Sequence, residues 1–140
     1  MLARNGPDTG NPPYRSWVLI ALDWAGSLRS DFGDHGLVRV GQGLSVNARA
    51  TDLHLHADGT IDVAFVDETR RITRIERRFP DGSPDEGFAR GGRMHLAVPD
   101  RTSPRDLVLT FDRLRRMYVL ATVEVQGAYG RLLVRRFITS

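Results

Sequence analysis

The stretch DLHLHADGTIDVAF, residues 52–65, places two imidazoles and three carboxylates in and around one turn signal, ADG. A three-residue hairpin loop over Ala57, Asp58 and Gly59, with Gly59 in the left-handed region such loops favour, sets Leu55 opposite Ile61 and Leu53 opposite Val63. The other face then pairs His56 with Thr60 and His54 with Asp62. A two-residue loop at Asp58-Gly59 would mix apolar and polar residues on both faces. Segregation of the two kinds normally fixes register, so the three-residue loop is expected.

His54, His56 and Asp62 on one face could do three things. On a solvated outer face Asp62 simply pairs with His54. Inside a small barrel, His54 and Asp62 form an oriented acid–base pair in which the carboxylate favours the protonated ring. Two imidazoles and one carboxylate also match the ligand set of non-haem iron and some zinc centres. The solvated face is the expectation, with no metal and no cofactor. His95, in RMHLAV, is the one remote histidine in a strand-like segment.

A second set comes from RMYVLATVEVQ. Met117, Val119, Ala121, Val123 and Val125 form an apolar stripe, while Tyr118, Leu120, Thr122 and Glu124 share the opposite face. A strand apolar on one side and semi-polar on the other suits the lining of a lumen, which makes Tyr118 and Glu124 candidate catalytic groups beside His54 and Asp62. Trp17, Trp24, Phe65, Met94 and Leu120 are the candidate ligand-binding residues.

The elements that would position these groups read as β from Gly36 onward. Alternation at Leu44, Val46 and Ala48, at Met94, Leu96 and Val98, and at Leu107, Leu109 and Phe111 marks strands, separated by ADG, PDGSPDEG, PDRTSP and GAYG. TRRITRIERRF fits a strand after a tight turn as well as a helix. GQG at Gly41–Gly43 reads as a bend. Before Gly36, Trp17, Ile20, Ala21, Trp24 and Leu28 fall at helical spacing behind Asn11 and Pro12, which predicts a helix over 14–28, although WVLIAL also suits a strand buried on both faces. Residues 1–13, rich in Gly, Pro and Asn, are expected as a flexible arm. Residues 14–140 are expected as a single all-β domain: an antiparallel meander closing into a calycin-like barrel of about eight strands, with the N-terminal helix or arm over one mouth.

Composition narrows the function classes. The 140 residues contain no Cys, which excludes disulfides and thiolate sites. All 20 basic residues are Arg, and the net charge is only +3. With neither Lys nor Cys to titrate, a pI near 10.1 overstates the basicity. The arginine-rich runs, including the RxxxR spacing of Arg70, Arg74 and Arg78, are interleaved with acids such as Glu68 and Glu76 and lack grouped aromatics, so a salt-bridged face is expected rather than a nucleic-acid surface. No apolar run approaches the roughly 20 residues of a membrane span, and a cytoplasmic protein is expected. The functional expectation is a barrel that binds an apolar or amphipathic small molecule in its lumen, in the manner of a cyclase or isomerase of bacterial secondary metabolism that works by substrate preorganisation. A non-enzymatic binding or homodimerisation module is the alternative, and a metal enzyme built on the two histidines and Asp62 the second.

Overall fold

The computed structural model describes the backbone of residues 2–4, 14–99, 101–125 and 128–137, and the side chains of 16–99 and 101–124. Ten strands run in order: β1 (Leu2–Arg4), β2 (Tyr14–Ile20), β3 (Leu37–Ser45), β4 (Arg49–Leu55), β5 (Ile61–Asp67), β6 (Ile72–Arg78), β7 (Arg93–Leu96), β8 (Thr102–Phe111), β9 (Met117–Val125) and β10 (Ala128–Phe137). They form three antiparallel sheets: a front sheet β1-β2-β3, a central sheet β4-β5-β6-β7 and a back sheet β10-β9-β8. The all-β, antiparallel expectation holds. Among the described residues, however, no sheet closes on itself, so three open sheets stand where one barrel was expected.

The helix over 14–28 is also corrected. Tyr14–Ile20 is a strand in which Ser16, Trp17, Val18 and Leu19 are all buried in succession, as in a strand covered on both sides. The apparent helical spacing arose by chance, because Leu22 to Leu28 belong to a loop and not to the same element. Of the N-terminal arm, β1 pairs with Trp17–Leu19, and residues 5–13 lie outside the described residues. TRRITRIERRF resolves as a turn followed by β6. Among the described residues no helix is long and apolar enough to cross a membrane.

The middle strands of the central sheet, β5 and β6, are buried on both faces, and β5 shows why the chain needs three layers. Its odd residues Val63 and Phe65 pack forward on Trp17, Leu19, Val40 and Leu44. Its even residues Ala64 and Val66 pack backward, with Ile75, on Leu107, Leu109, Met117 and Val119. Burying each such Val, Leu or Phe stabilises the fold by roughly 1.5–3 kcal/mol. The GQG bend is where the front sheet accommodates the aromatic pair Trp17–Phe65, whose rings lie 5.2 Å apart. At Gly41, with φ of 72°, a Cβ would stand 2.4 Å from the Trp17 ring. Only glycine fits there.

Side chains close two of the open edges. Among the described residues strand β3 has no strand partner on its second side. Arg70 instead donates to the carbonyl of Gly43 at 2.7 Å, Arg74 to that of Gln42 at 2.9 Å and Arg78 to that of Arg39 at 3.4 Å. Spaced four apart, Arg74 and Arg78 share one face of β6, which is the structural content of the RxxxR pattern. On the other side, β4 covers the edge of β8: Thr51 donates to the Leu107 carbonyl at 2.9 Å, and the Asp52 carboxylate accepts the Leu109 N–H at 2.7 Å. Both joints satisfy backbone groups that would otherwise template a foreign strand.

Candidate functional site

The β4–β5 hairpin takes the expected register. Leu55 faces Ile61, Leu53 faces Val63 and His54 faces Asp62, while the His56 N–H donates to the Thr60 carbonyl at 2.8 Å and Gly59 has φ of 85°. The expected solvated face is not what this register produces. Asp62 is fully buried, because its side of the central sheet packs on the back sheet. The polar and apolar residues are segregated as read, but both sides of the hairpin's second strand are covered.

Asp62 does not bond to His54, directly opposite. One oxygen accepts from Arg77 Nε at 2.7 Å, and the other is shared by Arg77 Nη2 at 2.8 Å and His56 Nε2 at 2.9 Å. The twist of the strand pair brings the diagonal neighbour His56 onto the carboxylate. Arg77 lies directly across from Asp62 on β6 and stacks its guanidinium 4.1 Å from the centre of the Phe88 ring. His54 instead stacks on Phe111, with ring centres 4.2 Å apart, and meets His56 edge-on at 4.6 Å. Burial lowers the His54 pKa, and a charge on His56 lowers it further, against the opposing pull of Asp62. His54 is therefore held neutral near pH 7. With both Asp62 oxygens engaged by Arg77 and His56, the cluster is a buried clamp. Among the described residues no three His, Asp or Glu side chains converge in a metal-binding arrangement.

The other candidates are scattered. Tyr118 donates its hydroxyl to Asp112 at 3.2 Å, at the β8–β9 turn. Glu124 accepts from Arg105, which also bridges to Glu68. Neither approaches His54. Met94 is packed into the core between the central and back sheets, and Leu120 is half-buried on the outer side of the back sheet. Trp17 and Phe65 are core, although Trp17 also borders an open hollow of about 570 Å³ with Asn47, Arg49 and Glu68. Between the central and back sheets, beside Thr73 and Leu107, a void of about 20 Å³ has room for one water.

A second concavity, mainly apolar, lies on the front side and does not follow from the sequence pattern. A cleft of about 430 Å³ opens between the end of β2, the loop after it and the β4–β5 hairpin. Leu19, Leu22, Phe32, Leu53, Leu55 and Ile61 supply its walls, and among the described residues Arg29 is the one charged side chain lining it. The loop is braced: the Asp23 carboxylate accepts the N–H groups of Ala25 and Ser27, both at 2.9 Å. That bracing holds Trp24 at the tip, 99% exposed and outside the cleft lining. The available signal was the pair Leu53 and Leu55, which segregate to one hairpin face yet stay 37% and 64% exposed. No family model, no curated protein and no solved structure matches the chain.

Proposed function

We propose that the chain binds an apolar or amphipathic small molecule in the cleft between the β2 loop and the β4–β5 hairpin. The observation that carries this reading is the cleft itself: about 430 Å³, walled by aliphatic side chains and Phe32, with one cation at its border. That volume lies within the range of small-molecule sites, and such sites combine apolar walls with few polar groups. Leu22, Leu53 and Leu55 present apolar surface to water there, which a ligand would cover. The site is thus an external cleft rather than the lumen of a barrel. Turnover of the cyclase or isomerase kind would rest on confining a flexible substrate, since His54, Asp62, Tyr118 and Glu124 all lie elsewhere.

Titration with an environment-sensitive apolar dye tests the reading. The wild-type chain should give saturable binding, and Leu55→Asp should weaken it by about tenfold, equivalent to 1.4 kcal/mol, at an unchanged melting temperature. Equal binding by wild type and variant, or none by either, overturns it.

A further inference from the structure

The apolar cleft has an acidic rim. Three connections frame it and supply lining residues: the loop over residues 21–36, the turn of the β4–β5 hairpin at 56–60 and the turn after β6 at 79–83. They carry five exposed carboxylates, Asp23, Asp31, Asp34, Asp58 and Asp81. Against these stand two guanidiniums: Arg29, 2.6 Å from Asp31, and Arg115, from the β8–β9 turn, 3.0 Å from Asp58. Asp34 has the exposed His35 beside it, at 3.8 Å. Asp23 and Asp81 accept from N–H and hydroxyl groups of their own turns, and among the described residues no cation pairs with either. The whole chain carries a net charge of +3, so the excess of acid is local to the cleft.

Three of the five gather on one side. The Gly33 N–H donates to the Asp81 carbonyl at 2.7 Å, which fastens the turn after β6 to the long loop. Gly82 packs at the same joint, where a Cβ would lie 3.2 Å from the Phe32 ring. Asp31 and Asp34 bracket Phe32 and Gly33 in sequence, so together with Asp81 they border the cleft where Phe32 and Pro80 line it. Hydrogen bonds from Thr60 hold the Asp58 carboxyl at about 2, while those from Ser83 and from Arg29 hold Asp81 and Asp31 below the usual carboxylate range. These groups stay charged at neutral pH. Arg29, the cation of the lining, is committed to both oxygens of Asp31, at 3.1 and 2.6 Å.

We infer that the ligand of this cleft is a cationic amphiphile: an apolar body held by the aliphatic walls, with an amine or quaternary ammonium group at the acidic rim. The inference rests on the apolar cleft being the ligand site, and it adds the sign of the head group. A cleft bordered by one sign of charge concentrates ligands of the other sign, and the same carboxylates repel an anionic head on an identical body.

The test is calorimetric titration of the full chain with three probes of equal chain length, each below its micellar concentration: decyltrimethylammonium, 1-decanol and decanoate. At about 0.01 M salt the cation should bind about tenfold tighter than the anion, the size expected of one or two exposed charge contacts, with decanol between them. The gap should shrink in about 1 M sodium chloride, where the Debye length falls to about 3 Å. Asp34→Asn and Asp81→Asn combined in one chain should narrow it about threefold and leave decanol unchanged. Asp106→Asn, on the outer side of the back sheet, should leave the gap as it is. If the three probes bind alike, or decanoate binds best, the head-group inference is overturned while the apolar cleft stands. If decyltrimethylammonium binds Leu55→Asn as tightly as wild type, its site is elsewhere and the inference is likewise overturned. Binding by none of the three overturns both readings.

Discussion

On its back-facing side the central sheet carries Asp62 and Arg77 as a one-to-one pair steadied by His56, set among Ala64, Val66 and Ile75. On its front-facing side Glu76 stands among Arg74, Arg78 and Arg93, and a second buried carboxylate, Asp67, accepts from Ser45 and the Arg70 N–H, while Val63 and Phe65 fill the neighbouring strand. The two faces of one sheet therefore solve burial differently. The back face neutralises its charge within itself. The front face spends two of its arginines on the carbonyls of β3, so the same guanidiniums serve the joint between sheets and the ion pairs with Glu76. A buried ionic group need not be an optimised pair; it can follow from the need to close an edge.

The contrast sets an order of effects. Glu76→Gln should cost the most, about 5 kcal/mol, because it removes the one carboxylate from among two nearly inaccessible guanidiniums. Asp62→Asn should cost about 3 kcal/mol, at the lower end of the same range, since it leaves a single guanidinium that still lies over Phe88. Urea denaturation of both variants measures the gap, and a reversed order breaks the comparison. Gly59→Ala should cost about 1–2 kcal/mol, because the hairpin needs its positive φ and the new Cβ would lie 2.9 Å from Pro80 Cγ. That variant loosens the turn that decides which residues face which side, so it strains both faces together. Acidification should give the smallest effect. Folding holds His54 on the back face and His95 on the front face below their ordinary values. Between those lowered values and about 6.5 the unfolded chain binds more protons, so stability is full above that range and falls as pH drops through it. Urea midpoints at pH 7.5 and 5.5 should show this loss. His54→Gln should reduce it without abolishing it, because the contribution of His95 remains. An unchanged pH dependence in that variant would place the whole effect on the front face.

The parts legible in the sequence were those that obey a period of two with clean segregation. The β4–β5 register, the left-handed Gly59 and the buried stripe of β9 from Met117 to Val123 all followed from alternation. What alternation does not report is whether a face is wet. His54, His56 and Asp62 read as polar and therefore as outward, yet the back sheet packs on this side through Ala64, Val66 and Ile75, and Arg77, fifteen residues later, arrives opposite Asp62 to neutralise it. Closure failed for a related reason. The edges of β3 and β8 are covered by arginines, Thr51 and Asp52, so the side-chain solution to an exposed edge looks in sequence like an ordinary solvated strand. The cleft was hidden because half of it belongs to a loop with no period at all.

The arginine joint on β3 has an evolutionary consequence. Its acceptors are main-chain oxygens, which every amino acid possesses. Arg39 and Gln42 can therefore be replaced without touching the bonds that Arg78 and Arg74 make there. The requirement falls wholly on one partner. Among descendants of this chain the arginines of β6 should be retained while the β3 positions they hold drift freely, and no correlated substitution would betray that the two strands touch.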